Sequence, residues 1–407
     1  MSKLLRSMAG CKHILSASNR SYSCLPLTVL SDDEKLFKDT VRKFSEKEVK
    51  PRVRSMETAG QLDPELIRKY FEHGFMGIEV ETKYGGAESG FMNMVILLEE
   101  ISKVDAAASP IIQVQNVLVS TVLRKAASEE HKLRYLPQLC SEKLGSFALT
   151  EPDSGSDAFS LATHARQDGD DYVINGSKMF ITGADVADIF LIMANAKPEL
   201  GYRGITCFIV ERNTKGLIVH KREDKLGIQA SGTCALTLDN VRVHKSQILG
   251  EHGKGYLYAI KFLTEGRIGV AAQMIGLAQG CFNVTIPYLL ERKQFGKSLF
   301  MFQGMQHQIA QVATQIEAAR LMTYNAARLV EQKRDFTKEA AMAKSYAAEV
   351  AQLTTVKCID WMGGLGYMKS LPQEKYYRDV KIGSIYEGTY NIQLNTIANK
   401  IHSEFGL

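Results

Sequence analysis

Several sequence signatures of common enzyme classes are absent from this chain of 407 residues. It contains no His-Glu-x-x-His motif of zinc proteases, no Gly-x-Ser-x-Gly motif of serine hydrolases and no P-loop. No Gly-x-Gly-x-x-Gly follows a strand-like segment, so a Rossmann dinucleotide site is only weakly indicated. Metalloprotease, serine hydrolase and nucleotide hydrolase functions therefore lack their usual support.

Paired cysteines and long apolar runs are absent as well. The seven cysteines are scattered and show neither paired spacing nor a metal-binding pattern, which indicates reduced thiols in a protein that is not secreted. No uninterrupted apolar run approaches the length of a membrane span, so we do not expect an integral membrane protein. The hydrophobic content of 45% and the charged content of 23% are typical of a soluble globular protein.

The first 31 residues lack aspartate and glutamate altogether. They contain many serines and four cations, Lys3, Arg6, Lys12 and Arg20. This composition predicts a mitochondrial transit peptide, although a disordered basic tail has the same composition. The four cations account for most of the formal charge of +5 and leave the remainder near +1. A nearly neutral body does not suit nucleic-acid binding.

The segment 32–144 has the pattern of an all-helical domain. Ser31 and Glu34 have the spacing of a capping box, and Asp63-Pro64 is a typical helix start. From residue 92 to about 139 the apolar residues recur at helical spacing.

The pattern changes at Gly145, and the segment 145–255 predicts an antiparallel β domain. Short β-rich runs are separated by turn residues, at 146–149, 171–174, 178–182, 189–193, 205–210 and 235–238. Asp168-Gly169-Asp170 and Asn175-Gly176 are both typical of hairpin turns.

The segment 256–407 returns to helices, at about 256–290, 303–332 and 338–362, followed by a shorter helix and a last helix after Glu387. Helices of this length predict a bundle, which can also pair with copies of itself. The expected fold is thus mainly α with a central β domain.

One stretch near the C-terminus, Ile385-Tyr386-Glu387-Gly388-Thr389-Tyr390-Asn391, places a carboxylate between apolar and aromatic neighbours. If Glu387 is buried there, desolvation raises its pKa and makes it a stronger base, which suits proton abstraction next to a carbonyl. The alternative is an ordinary acid at the N-terminal end of the last helix, where the helix dipole favours a negative charge.

Two segments of the β domain offer groups for a bound ring. Phe147-Ala-Leu149-Thr150-Glu-Pro-Asp-Ser-Gly-Ser156-Asp157 runs from a strand into a loop whose amides and hydroxyls suit a polar ring edge or a phosphate. Lys178-Met-Phe180-Ile181-Thr182 places an aromatic ring and a hydroxyl on one strand face, where they suit stacking and hydrogen bonding. The alternatives are an ordinary turn, and a core Phe with an edge Thr.

Taken together, these motifs resemble those of the acyl-CoA dehydrogenase family, over nearly the whole chain after residue 31. The Ile-Tyr-Glu-Gly-Thr stretch resembles the family's catalytic-base segment, and Thr150 to Asp157 resembles its Thr-Glu-Pro-x-x-Gly-Ser-Asp signature. Glu291 to Lys297 resembles its Arg-x-x-Phe-Gly segment, and Asp360-Trp361-Met362-Gly363-Gly364 resembles a further cofactor contact.

The resemblance implies FAD as cofactor and assigns a role to each matching residue. Glu387 becomes the catalytic base. The implied FAD contacts are Phe147, Leu149, Thr150, Ser156, Phe180, Ile181, Thr182, Arg292, Gln303, Asp360, Trp361, Met362, Gly363, Gly364, Thr389, Tyr390 and Asn391. The implied acyl-CoA contacts are Ser156, Tyr202, Tyr256, Thr264, Glu265, Gly266, Arg267 and Gly388. No metal site is implied.

At two positions this chain departs from the family's pattern. The family usually has Trp where this chain has Phe180, and Phe can still stack on a ring. Some relatives carry the catalytic Glu directly before the arginine that matches Arg267, where this chain has Gly266. Glu265, one residue away, therefore remains a competitor to Glu387.

The implied reaction is α,β-dehydrogenation of short or 2-methyl-branched acyl-CoA thioesters, with electrons passed to electron transfer flavoprotein. A homotetramer of the mitochondrial matrix is implied too. The same fold also permits the reverse reaction, as a 2-methyl-branched enoyl-CoA reductase, or a preference for straight short chains. An acyl-CoA oxidase and a non-catalytic assembly factor of a respiratory complex are further alternatives.

Overall fold

The computed structural model describes residues 27–406. The first helix begins as predicted: the Ser31 hydroxyl accepts a hydrogen bond from the Glu34 amide at 3.2 Å, and the Glu34 carboxylate accepts one from the Ser31 amide at 2.9 Å. Asp63 caps the predicted start at Pro64. Both starts are confirmed, because side-chain oxygens satisfy amides that have no partner within the helix. Most of the predicted transit peptide, 1–31, lies outside the described residues.

The helices fall on either side of the β domain in sequence. Their bounds are α1 (Asp32–Phe44), α2 (Val53–Ala59), α3 (Pro64–Glu72), α4 (Phe91–Ser102), α5 (Pro110–Gln113), α6 (Thr121–Ala126), α7 (Glu129–Ser141), α8 (Gly255–Glu291), α9 (Gln303–Glu331), α10 (Thr337–Met362), α11 (Gln373–Asp379) and α12 (Tyr390–Glu404). Short π-helical stretches occur at Ser45–Val49 and Val114–Ser120. The predicted long helices of the C-terminal segment are confirmed.

The central sheet has eight strands. They are β1 (Gly145–Ala148), β2 (His164–Asp168), β3 (Asp171–Thr182), β4 (Ile189–Asn195), β5 (Ile205–Glu211), β6 (Leu217–Arg222), β7 (Thr233–His244) and β8 (Ile248–Leu249). Their order is β6-β7-β3-β2-β4-β5-β8, with β1 also paired to β4. Most pairs are antiparallel as predicted, but β4 pairs in parallel with both β1 and β2. A separate hairpin joins β9 (Lys293–Gln294) to β10 (Lys297–Ser298).

The prediction of a hairpin turn at Asn175-Gly176 was wrong. β3 continues through both residues, and the register against β7 shifts between Ile174 and Gly176. Gly176 has a φ of 151°, and a Cβ atom there would lie 2.4 Å from the Thr163 hydroxyl, so the glycine allows a close approach within a bulge. The other predicted turn, Asp168-Gly169-Asp170, does join β2 to β3.

The helices of the two terminal segments share one hydrophobic core. α4 packs against α8 and α9, and every residue of α4 except Asn93 is buried. α10 in turn packs against α8 and α9. Because α4 is enclosed on all sides, its sequence is apolar around most of its circumference.

The segment Ala106–Ala126 also lies inside the protein. Among the described residues it is the one helical stretch with the length and apolarity to cross a membrane. Its most apolar window of 18 residues has a mean hydropathy of 1.4 and is buried, whereas Lys125 near its end is exposed. Its apolar character is accounted for by the core, and two of its residues, Val114 and Leu118, line the cavity described below.

A buried ion cluster joins all three parts of the chain. Lys375 of α11 donates to Asp105 at 2.6 Å and to Asp379 at 2.5 Å, and Asp379 also accepts from the Ile228 amide at 2.5 Å. The three charged side chains are almost completely buried. The attraction of the two carboxylates outweighs burial and raises the pKa of Lys375.

We expect Lys375→Met to lower the free energy of unfolding by about 3–5 kcal/mol, because two buried carboxylates lose their shared counter-charge. Thermal and denaturant unfolding measure this loss. Lys35→Met is the matched control, since Lys35 pairs with Asp32 on the surface and its loss should leave the melting temperature unchanged. An equal loss of stability in the two variants would contradict the stabilising role of the buried ion cluster.

Candidate active site

A cavity of about 400 Å³ opens where the β domain meets α8 and the last helix. Its walls are mostly apolar. Its lining includes eleven of the residues singled out by sequence, namely Phe147, Leu149, Thr150, Ser156, Phe180, Ile181, Thr182, Thr264, Arg267, Glu387 and Gly388. Residues from distant parts of the chain therefore meet around one space.

Glu387 reaches this cavity from a tight turn before α12. Glu387 and Gly388 have φ angles of 54° and 91°, both in the left-handed region. The Glu387 side chain is enclosed by protein except where it faces the cavity. Its Oε2 atom has no hydrogen-bond partner within the described residues. An unpaired carboxylate at a cavity wall is available to a bound molecule.

Burial raises the pKa of Glu387 to about 7, although Lys344 and Arg267 favour its ionised form. Tyr386 beside it donates a hydrogen bond from its phenol to Gln273, and Gln273 donates to the Ala106 carbonyl at 2.9 Å. A carboxyl with a pKa near neutrality is suited to taking a proton at physiological pH.

Gly266 makes room for this carboxylate. A Cβ atom at Gly266 would lie only 2.7 Å from Oε2 of Glu387, so a larger residue does not fit while Glu387 holds this position. Glu265 is turned elsewhere: it is 2% exposed and accepts a hydrogen bond from Lys125 at 2.6 Å. The structure thus places Glu387 at the cavity and Glu265 in an ion pair outside its lining.

The opposite wall carries an exposed aromatic ring. Phe180 is 57% exposed and has a φ of 58°, in a stretch where β3 shifts its register against β7. Just before it, buried Lys178 donates to Glu151 at 2.7 Å and to the Leu149 carbonyl at 3.0 Å. The Met179 amide donates to the Thr150 carbonyl at 2.8 Å. These bonds hold the loop after β1 and the end of β3 side by side.

This arrangement fits the ring system of FAD. The Phe180 ring offers a flat apolar face, Thr150 and Thr182 offer hydroxyls, and Arg267 retains an unpartnered buried Nε within the described residues. An exposed phenyl ring beside unpaired polar atoms is costly for an empty surface, and a flat ligand with polar edges would satisfy both.

A second group of predicted FAD contacts lies outside the cavity. Arg292, Gln303, Asp360, Gly363 and Gly364 are exposed, at or just beyond the ends of α8, α9 and α10. Trp361 and Met362, on the last turn of α10, are buried instead, and the Trp361 ring packs edge-on against Phe282. Within one copy of the described chain, the structure does not bring this second group to the cavity.

The remaining predicted residues flank the cavity. Tyr202 packs edge-on against Tyr256 with ring centres 5.1 Å apart, and Tyr256 packs against Phe159, which lines the cavity. The other three, Thr389, Tyr390 and Asn391, follow Gly388 but lie outside the lining; Thr389 is the N-cap residue of α12.

Two residues at the base of the site escaped the sequence analysis. Lys344 donates to the Gly388 carbonyl at 2.7 Å, and Gln393 donates to the same carbonyl at 2.9 Å. Lys344 lies among alanines of α10, and a lysine in such an apolar helical stretch is a signal that the sequence does offer. Nothing in local spacing connects it to Glu387.

Known proteins resemble this chain in both architecture and sequence. Models of the acyl-CoA dehydrogenase N-terminal, middle and C-terminal domains match residues 31–143, 146–241 and 253–402. A mitochondrial short/branched chain specific acyl-CoA dehydrogenase from Rattus norvegicus is 54% identical over 392 residues, which cover 96% of this chain and 91% of the relative. The Bos taurus protein of the same name is 52% identical over 391 residues, with coverages of 96% and 90%.

Among solved structures, butyryl-CoA dehydrogenase from Megasphaera elsdenii superposes with a TM-score of 0.90 at 37% identity. The match covers 92% of this chain and 99% of that one. Sequence models, full-length relatives and fold agree, and with the cavity geometry they lead to one conclusion: the chain belongs to the acyl-CoA dehydrogenase family of FAD-dependent oxidoreductases.

Proposed function

We propose that this protein dehydrogenates short and 2-methyl-branched acyl-CoA thioesters between Cα and Cβ, with Glu387 as the base. The observation that carries the proposal is the Glu387 carboxylate, which lines the cavity and whose Oε2, next to Gly266, has no hydrogen-bond partner within the described residues. The branched-chain preference is supported by the names of the rat and bovine relatives.

Glu387 would take the α-proton of the acyl chain. Its raised pKa makes it a better proton acceptor than an exposed carboxylate, and the apolar walls exclude water from the reacting atoms. The Glu387 backbone amide would donate to the thioester oxygen as negative charge develops there. When bound, FAD supplies the acceptor for the β-hydride.

The size of the cavity supports a short acyl chain. The space of about 400 Å³ has to hold both the ring of the cofactor and the acyl group. Val114, Leu118 and Leu263 line it with apolar side chains, so the acyl group meets no charged partner apart from those around Glu387. A long chain would need a deeper apolar channel.

We further propose that a second copy of the chain completes the FAD-binding site. Arg292 and Gln303 are exposed, and Phe295, three residues after Arg292, is 94% exposed. Such a ring on a cation-bearing hairpin suits contact with another subunit, where Arg292 would reach the FAD pyrophosphate by bidentate hydrogen bonds. A homotetramer with three domains per subunit, 32–144, 145–255 and 256–407, is the assembly we propose.

Mitochondrial location is suggested by the mitochondrial relatives, and we propose the matrix as the compartment. The expected electron acceptor there is electron transfer flavoprotein. A solved structure named for the electron transferring flavoprotein of Acidaminococcus fermentans contains a chain that superposes on this one with a TM-score of 0.90 at 37% identity, which supports this expectation.

Anaerobic mixing with 2-methylbutyryl-CoA should bleach the visible absorbance of the bound flavin, because the substrate gives up a hydride. Butyryl-CoA is the straight-chain comparison. Faster reduction by butyryl-CoA would move the preference to straight chains. If a 2-methyl enoyl-CoA oxidises the reduced protein faster than 2-methylbutyryl-CoA reduces the oxidised protein, the reverse reaction is favoured. Rapid peroxide formation in air would favour an oxidase. A folded protein without flavin that binds a respiratory subunit would favour an assembly factor.

We expect Glu387→Gln to lower turnover at least about 100-fold while FAD and acyl-CoA still bind, because the substitution keeps the shape and removes the basicity. Steady-state kinetics and flavin content measure the two parts. Glu265→Gln is the matched control and should keep its turnover, since Glu265 is paired with Lys125 outside the cavity lining. The opposite pattern would make Glu265 the base.

The pH profile should reveal the pKa of the base. Glu387 must be ionised to accept a proton, and its pKa is raised to about 7, so kcat/KM should fall as the pH drops through about 7 and reach a plateau above it. Measurements of kcat/KM across the neutral range test this. An acidic limb near the ordinary glutamate value would contradict the buried position of the ionised base.

A further inference from the structure

The turn that carries Glu387 does not hold its shape by itself. Glu387 and Gly388 have successive left-handed φ angles of 54° and 91°. A residue with a side chain adopts that region only at a cost in free energy, and such strain persists only where surrounding groups hold the backbone.

Two buried side chains hold this turn. The Nζ atom of Lys344 donates to the Gly388 carbonyl at 2.7 Å. The Nε2 atom of Gln393 donates to that carbonyl at 2.9 Å and to the Glu387 carbonyl at 3.1 Å. Both side chains are completely buried, so water does not compete for these bonds.

Lys344 differs from the other buried lysines in its charge pairing. Lys178 and Lys375 each contact a carboxylate, at 2.7 Å and at 2.5–2.6 Å. Within residues 27–406, Lys344 forms no ion pair, and its hydrogen bond goes to a carbonyl. Burial lowers the pKa of Lys344 to about 8, and Glu387 is the anion that acts against this. A buried ammonium that contacts a carbonyl and no carboxylate within the described residues suggests a role beyond packing.

The charged and titratable groups that face Glu387 come from three elements. Lys344 comes from α10, Arg267 from α8, and the Tyr386 phenol from the preceding loop. Arg267 lines the cavity, whereas Lys344 lies behind the turn and outside the lining. The two cations therefore act on the carboxylate from different positions, and only Arg267 is placed to touch a ligand.

We propose that Lys344 is a positioning residue for the base: it fixes the Gly388 carbonyl so that the Glu387 carboxylate faces the cavity, and its positive charge favours the ionised carboxylate. Gln393 shares the first task but not the second, because an amide carries no charge. The inference rests on Glu387 being the base, as proposed above.

The test separates charge from hydrogen bonding with three variants. Lys344→Gln keeps a donor and removes the charge, so the acidic limb of kcat/KM should move up by about one pH unit. Lys344→Arg keeps the charge, so its acidic limb should lie close to the wild-type pH. Gln393→Leu removes the amide donors without changing any charge, so it should lower kcat about tenfold and leave the limb where it is.

A readout that does not depend on turnover comes from the carboxyl group itself. The infrared C=O band of protonated Glu387, identified as the difference from Glu387→Gln, should titrate about one unit higher in Lys344→Gln. Titration at the wild-type pH in Lys344→Gln, or equal limbs in all three variants, would overturn the proposal and leave Lys344 a structural residue. If the band shifts as expected but no acyl-CoA is oxidised, the proposed function fails, and only the effect of Lys344 on the Glu387 carboxylate stands.

Discussion

The site depends on keeping one carboxylate unpaired in a mostly apolar space. Oε2 of Glu387 has no partner within the described residues, and burial raises its pKa to about 7. A folded chain pays for such a group in stability, since neighbouring donors would otherwise satisfy it. The room comes from Gly266, where a Cβ atom would lie 2.7 Å from the carboxylate oxygen. The position of the Glu387 carboxylate therefore requires glycine at residue 266 of α8.

The long helices hold the groups around Glu387 in a rigid arrangement. α8 supplies Gly266, Arg267 and Gln273, and Gln273 links the Tyr386 phenol to the Ala106 carbonyl of the N-terminal segment. On the far side, the Lys178–Glu151 pair joins the loop after β1 to the bulge that presents Phe180. Both walls are held by buried polar contacts, because apolar packing alone would not fix the direction of a carboxylate or a ring.

Much of this was predictable from the sequence, and what was not has physical causes. Long helices and their caps follow from periodicity and local hydrogen bonding, so Ser31 and Asp63 were read correctly. Asn175-Gly176 has turn chemistry, but pairing with β7 overrode it and produced a bulge. Glu265 and Gly266 are adjacent on a helix and face directions about 100° apart, so their roles follow from packing rather than from sequence. Lys344 approaches Glu387 only through tertiary structure.

The cations around Glu387 would have opposite effects before and after the proposed transfer of a proton to its carboxylate. Lys344 and Arg267 favour the ionised carboxylate, and thus weaken it as a base relative to what burial alone would give. In the proposed reaction Glu387 becomes protonated, and the same two cations would then lose their nearby anion. Negative charge developing on a substrate in the cavity that Arg267 lines would become their best electrostatic partner. The arrangement therefore gives up some basicity in the resting protein and, if Glu387 is the base, would favour the charge that develops during the proposed reaction. Arg267 and Lys344 at their distinct positions allow both effects, because one cation lines the cavity and the other lies behind the turn.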